Sequence, residues 1–241
     1  MCELNILNIL FSLPVGVITY ILIEWILHCK IAENCGIPEK EKSVVLWLEK
    51  LSGKTFLTIF SVGYAFSDYY KGDARGRLRR RFIQQCNRCN LIISLLLMAV
   101  SFFVVFMEFK LLIPFITGIN CYRFISRSLE IVVAFSKDVF RTYQNRSHLR
   151  KFQRLKLAMN SYLEIYLYSA SFYVVLITAD YAPATWKALV MTISIGTLTN
   201  VAYSQEIKNL SSFLQLFPFI QVIATLSLVV LSLTMYISRK S

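Results

Sequence analysis

Apolar residues run through this chain in blocks far longer than one face of a soluble helix requires, and the polar residues collect between the blocks. Residues 6–27, 91–109, 162–178 and 213–237 are such blocks. An α-helix rises 1.5 Å per residue, so about 20 apolar residues cross roughly 30 Å of hydrocarbon. The four blocks therefore predict membrane-crossing helices. A fifth, 111–140, is long enough but carries Arg123, Arg127, Glu130 and Lys137. Residues 44–66 are ambiguous: Glu49, Lys50 and Lys54 interrupt them and only 55–66 is cleanly apolar, which fits either a short sixth span or an interfacial helix. The first block follows MCELN, contains Pro14 and Glu24 and exceeds the length of a signal core, so it reads as a span and not as a cleaved leader.

Composition agrees with this pattern, since 56% of the 241 residues are hydrophobic and 17% are charged. The net charge of +12 raises the question of nucleic acid, and its distribution answers it. Lys71, Arg75, Arg77, Arg79, Arg80, Arg81 and Arg88 fill one connecting stretch, and Arg141, Arg146, Arg150, Lys151, Arg154 and Lys156 fill another. By the excess of basic residues in cytoplasmic loops, both stretches face the cytoplasm, and Arg239 and Lys240 place the C-terminus there too. The expected setting is a multi-pass protein of the cell membrane, with anionic lipid headgroups as partners of the basic stretches and no nucleic-acid role.

Little in the sequence points to catalysis. Cys86 and Cys89 form a lone C-x-x-C in a stretch expected to be a cytoplasmic loop, where they read as free thiols or, if Cys29 and Cys35 folded back onto them, as a zinc site, and His28 and His148 are too far apart to suggest a pair. No P-loop, H-E-x-x-H or G-x-S-x-G occurs. The expectation is a non-enzyme without metal or cofactor. Arg123, Arg127 and Glu130 share one helical face. A voltage sensor repeats Arg at every third position, and Ser126, Leu129 and Val133 break any such series. Structural pairing of the arginines, with Glu130 or Glu24 as partners, is the expectation.

The segment 187–197 is apolar but only about 11 residues long, roughly 16 Å as a helix, too short to cross. Since the flanking spans put both its ends outside, it is expected to dip into the membrane and return. Non-helical backbone at that depth requires a shielded or watered setting, which several copies around an axis provide.

At this point the chain resembles the potassium-channel family. Thr197, Leu198, Thr199, Asn200, Val201, Ala202, Tyr203, Ser204 and Gln205 align without a gap to the family's pore signature T-x-T-T-V-G-Y-G-D. Trp186, Ala188 and Leu189 stand where the family has its pore helix, with Ser194 inside it, and 213–237 stands where it has the inner helix. The resemblance implies an all-α protein with an N-terminal membrane domain, 1–157, of three or four spans and a pore domain, 158–241, possessing two helices and a re-entrant loop, on a voltage-gated-like six-helix plan if 44–66 spans. It implies a homotetramer passing monovalent cations, potassium foremost, with carbonyls of Thr199, Asn200, Val201, Ala202, Tyr203 and Ser204 as filter and Trp186, Ser194 and Thr197 as its support. Ala202 and Ser204 occupy the two glycine positions, and Gln205 replaces the acid that follows them. Two other classes fit the same residues: a non-conducting accessory subunit, and a transporter using the re-entrant loop as a substrate site. An earlier SVGYA, Ser61 to Ala65, reads either as a first filter, which would put the basic stretch 71–88 outside, or as a turn at the membrane edge.

The orientation is testable by thiol labelling in intact cells. Arg79→Cys and Arg150→Cys should react only with reagents admitted to the cytoplasm, and Asp180→Cys from outside; external labelling of Arg79→Cys would reverse the assignment.

Overall fold

The computed structural model describes residues 6–37, 61–74, 76–109, 112–140, 149, 151–178, 184–199 and 216–238. Among these, seven α-helices and no strand occur: α1 (Ile6–Asn34), α2 (Val62–Asp73), α3 (Gly76–Phe106), α4 (Ile113–Phe140), α5 (Lys151–Thr178), α6 (Ala184–Gly196) and α7 (Leu216–Ser238). Two stretches, Pro14–Asn34 of α1 and Gly76–Phe106 of α3, are long and apolar enough to cross a membrane.

Several helices exceed the apolar blocks that announce them. Helix α3 starts 15 residues before Leu91, so the Arg-rich stretch and the Cys86/Cys89 pair lie on a helix and not in the expected loop. Arg, Gln and Leu are good helix formers, and nothing in GRLRRRFIQQCNRCN breaks the turn. Helix α5 likewise begins at Lys151, eleven residues before its apolar block. The SVGYA stretch is another correction: Ser61 is the residue before α2 and Val62 to Ala65 form its first turn, so it is neither an extended filter nor a turn. The expected span at 44–66 falls mostly on residues outside those described.

Helices α1 and α4 lie side by side and run in the same direction: Ser12 and Gly16 meet Gly118, and further along Tyr20 and Glu24 meet Arg123 and Ser126. Small residues make the first of these contacts possible. A Cβ on Gly118 would lie 2.5 Å from the Ser12 carbonyl oxygen, and one on Gly16 would lie 2.6 Å from the Gly118 carbonyl carbon. Ser12-x-x-x-Gly16 thus presents the small-residue spacing by which helix backbones approach closely in membranes. Helix α3 packs along α5, while α5 and α4 both pack on α7. Phe124, Phe172 and Phe217 stack where α4, α5 and α7 meet, with ring centroids 4.3 Å apart for Phe172 and Phe217.

The bundle buries charged and polar groups beside its apolar core and exposes many large apolar side chains. Arg123 is 1% exposed and Glu164 fully buried, together with Asn90, Ser94, Asn120, Ser171 and Gln221. Phe11 is 74% exposed and Phe106 82%, and Leu22, Leu96, Phe103, Met159, Phe219 and Ile223 also face outward. Large apolar surfaces of this extent are rare on soluble monomers.

Gly118→Val should strain the α1–α4 crossing because its neighbour is backbone that cannot swing aside. A loss of about 1–3 kcal/mol in denaturant unfolding from mixed micelles is expected, with Gly118→Ala giving a smaller loss of the same sign.

Candidate functional site

One guanidinium joins four helices. Arg123 of α4 donates through Nη1 to Tyr20 and Glu24 of α1, through Nη2 to Asn90 Oδ1 of α3 (2.8 Å), and through Nε to Tyr168 Oη of α5 (2.9 Å). Its plane also faces the rings of Tyr20 and Tyr168, 4.8 and 5.1 Å from their centroids. Four of its five N–H donors are used, and this degree of satisfaction is what makes a buried cation tolerable.

One turn on, Arg127 bridges two acids. Its Nη1 lies 2.7 Å from Glu130 Oε2, and its Nε and Nη2 each lie 2.6 Å from Glu164 Oε2 on α5. The other Glu164 oxygen accepts from Asn87 Nδ2 of α3 (3.4 Å), which also reaches Ser161 Oγ (3.2 Å), and Asn160 Nδ2 donates back to Asn87 Oδ1 (2.9 Å). The structure therefore brings together Arg123, Arg127 and Glu130, the charges singled out from the sequence. It adds Glu164, Tyr20, Tyr168, Asn87 and Asn90, which the sequence reading missed. Glu164 had a visible signal, a lone acid inside an apolar block; the others are ordinary polar residues whose meeting depends on helix packing.

Two further polar nodes lie along α5. Ser171 donates to Asn120 Oδ1 (2.7 Å) and Asn120 Nδ2 donates to Ser101 Oγ (2.8 Å), joining α5, α4 and α3. Tyr173 donates to Gln221 Oε1 (3.0 Å), and Gln221 Nε2 donates to the Thr192 carbonyl (3.0 Å), joining α5, α7 and α6.

Helix α6 runs back along α5. Tyr162 Oη donates to the Gly196 carbonyl (3.3 Å), and a Cβ on Gly196 would sit 2.5 Å from the Tyr166 ring. Tyr162 is sixteen residues from Thr178, roughly 24 Å along the helix. The short helix therefore ends deep alongside α5, not near the end from which it came. Its last turn closes with Thr199 N–H on the Ser194 carbonyl (3.0 Å) and Leu198 N–H on the Ile195 carbonyl (3.1 Å), the Schellman pattern. Glycine holds the left-handed position of that pattern at the end of α1, where Gly36 has φ 69°. At the end of α6 Leu198 holds it at φ 60°, at a cost of about 1–2 kcal/mol. Glu108 holds the same position at the end of α3, at φ 52°.

Of the residues expected to support a filter, Trp186 is exposed in the first turn of α6, Ser194 lies in its last turn half-buried, and Thr197 is exposed with its hydroxyl on the Ile193 carbonyl (2.7 Å). Thr199 is exposed and 2.9 Å from the Thr197 hydroxyl. Asn200, Val201, Ala202, Tyr203 and Ser204 lie outside the described residues.

Among the described residues no group of three or more His, Cys, Asp or Glu is placed to hold a metal ion. Cys35 donates to Gln85 Oε1 (3.0 Å) and Cys29 lies 3.3 Å from Tyr70 Oη. Beyond the apolar spans, burial lowers the Lys71 ammonium below the ordinary lysine range, opposed by attraction to Cys86 and Glu130. No protein-family model, curated protein or solved structure matches the chain.

Removing Arg127 should leave Glu130 and Glu164 buried without their cation, so Arg127→Met is expected to cost about 3–5 kcal/mol. Adding Glu164→Gln should recover part of that loss. A double-mutant cycle on detergent-solubilised protein measures the coupling, and additive losses would show that the pair does not act as a unit.

Proposed function

We propose that the chain is a multi-span membrane protein whose C-terminal part, residues 158–241, passes monovalent cations, potassium foremost, through a channel-like pore assembled from four copies. The observation that carries this reading is the deep, exposed hydroxyl turn Thr197–Thr199 at the end of α6. A helix of 13 residues cannot cross a bilayer, so the chain leaves its deep end at a level where backbone needs shielding from lipid. Water or neighbouring copies around an axis resolve this. The negative end of the α6 dipole points the same way, favouring a cation beyond Gly196.

The rest of the bundle supports a membrane setting. Its apolar exterior and buried polar clusters suit lipid, the shared direction of α1 and α4 gives both the same crossing sense, and exposed Arg77, Arg81 and Arg88 at the amino-terminal part of α3 suit anionic headgroups on the cytoplasmic side. Resemblance to potassium channels stands on the sequence Thr197 to Gln205. With Ala202 and Ser204 at the glycine positions, the passage is wider and partly hydrated, sharing its coordination between carbonyls and the side chains of Asn200 and Ser204.

One observation favours a carrier as the second reading. Helix α2 starts at Val62 beside the middle of α1, where Tyr20, Glu24 and Glu130 surround Gly63, and a helix start set among buried polar groups is where transporters hold substrates or coupling ions.

Purified protein in planar bilayers tests the proposal. Unitary current steps with weak discrimination between potassium and sodium are expected, and Ala202→Gly with Ser204→Gly should shift the reversal potential toward potassium selectivity. Saturable flux without steps would favour the carrier. A strictly monomeric particle in detergent would remove the pore.

A further inference from the structure

Three cysteines gather where the carboxyl-terminal end of α1 meets the amino-terminal part of α3, and the ionic layer uses none of them. Cys35 and Cys86 are buried in one cluster with Ile31, Ile37 and Phe82, against which Cys89 packs. Of the three, Cys86 is the one that His28 hydrogen-bonds. On the other side of the imidazole, Nδ1 lies 2.9 Å from the Glu24 main-chain carbonyl and 3.1 Å from Glu24 Oε2. Both contacts need a donor, so Nδ1 carries a proton and Nε2 is left to accept from the Cys86 thiol. Glu24 is held in turn by Arg123. Thiol, imidazole and carboxylate thus stand in series, with a base in reach of the sulfur and a third group fixing the base, which is how a protein activates a nucleophile. Lys71 of α2 is a second cation attracted to the same sulfur.

The setting decides the chemistry. No three of these groups are placed to hold a metal ion among the described residues. The sulfur is walled by apolar side chains, with Cys86 8% exposed, which favours a small or apolar reactant over a bulky charged one. A hydroperoxide meets that requirement. For the sulfur that Cys86 would then join, Cys89 is poorly placed: the two are three apart on an unbroken helix, where Cβ atoms stand about 5–6 Å from one another, beyond the roughly 3.5–4.5 Å that a disulfide spans. Cys35 approaches from α1 instead. Its Sγ already reaches Gln85 Oε1, on the residue next to Cys86, at 3.0 Å. It sits just past Asn34 in the turn that closes α1, and a helix end adjusts more readily than a helix interior. Burial and the neighbouring Cys86 hold the Cys35 thiol above its ordinary range, so Cys35 stays protonated until Cys86 has reacted.

We infer that Cys86 is a redox-active nucleophile that reduces a hydroperoxide and passes the oxidation to Cys35 as a disulfide between α1 and α3. The Cys86 proton moves to His28 Nε2 and the sulfur attacks one peroxide oxygen. An S–O bond forms, the O–O bond breaks, and the departing oxygen takes the proton from His28 and leaves as alcohol or water. The sulfur is thereby oxidised to a sulfenic acid and the peroxide reduced. Glu24, 3.1 Å away, balances the charge that His28 holds in between. Cys35 then attacks the sulfenic sulfur: the S–S bond forms, the S–O bond breaks, and hydroxide leaves with the Cys35 proton as water. A dithiol reductant restores both thiols by exchange and becomes a disulfide itself. Transient bridges of this kind are the ones a reducing cytoplasm permits. Helix α1 packs chiefly on α4, so the bridge would tie it to α3, where few other contacts join them. The site is remote from α6 and does not depend on whether the C-terminal loop conducts.

Peptide mass spectrometry of the detergent-solubilised full chain provides the test. Reduced protein is exposed to a small excess of hydrogen peroxide or of a fatty-acid hydroperoxide, with and without the sulfenic-acid trap dimedone. The expected products are a Cys35–Cys86 cross-linked peptide that a dithiol removes and, in Cys35→Ser, a dimedone adduct that accumulates on Cys86. The faster of the two peroxides identifies the source, aqueous or lipid. His28→Gln should slow oxidation of Cys86 at least about tenfold, and Cys121, buried in the other core cluster, should stay reduced in every sample. His28→Gln also disturbs the contact with Glu24, so Cys35→Ser, which leaves His28 and Glu24 in place, decides independently. Absence of a Cys86 adduct in Cys35→Ser would overturn the inference. So would an adduct there that forms no faster than one on Cys121, a wild-type bridge that joins Cys86 to Cys89, or an unchanged Cys86 rate in folded His28→Gln.

Discussion

A guanidinium out of water must be surrounded, and the arrangement of this bundle follows from surrounding Arg123. Its partners come from α1, α3 and α5 while it sits on α4, so no two of these helices can slide or rotate relative to one another without breaking a bond to a buried charge. Removing one partner from such a group is far costlier than the intact cluster is stabilising. Arg123 therefore favours one register of the four helices over those that an interior of Leu and Val alone would permit. Arg127 repeats the device one turn later, with Glu164 binding α5 to α4.

Above this ionic layer the packing changes character. Ser101, Asn120 and Ser171 form a neutral hydrogen-bonded set, the three phenyl rings of Phe124, Phe172 and Phe217 fill the space beside it, and the α1–α4 contact closes through Ser12, Gly16 and Gly118. On the membrane reading, each layer suits helices that gain little from burying apolar surface against one another. Close backbone approach and internal hydrogen bonds hold the helices together instead. The same logic reaches α6 through Gln221, whose side chain fixes the Thr192 carbonyl to Tyr173.

The apolar blocks announced α1, α4, α6 and α7 well because a long apolar run has few alternatives to a helix. They underestimated α3 and α5, whose Arg- and Lys-rich first turns form good helix that hydropathy does not register. Arg127 with Glu130 was legible as a spacing of three on one face. The partner of Glu164 was not, since the pairing spans 37 positions and needs two helices to be docked first. SVGYA misled for a physical reason: five residues of that composition fit a helix start, a turn or an extended strand equally well, and only the packing of Gly63 against Tyr20 and Glu24 decides. The filter-like stretch from Asn200 to Ser204 is legible as a pattern alone, and the described residues contribute the strained turn at Leu198 that leads into it.

The pairing of Glu24 with Arg123 also sets an order of events during synthesis. The two residues are separated by 99 positions, so a ribosome adding about 5–20 residues per second produces α1 on the order of 5–20 s before its counter-charge exists. On the membrane reading, α1 reaches the insertion machinery carrying Glu24 and His28 with nothing yet made to neutralise them. Its insertion is costlier until α4 emerges. Because α1 and α4 enter with the same sense, they can meet without either one inverting, and release of the pair into lipid becomes the committing step of assembly.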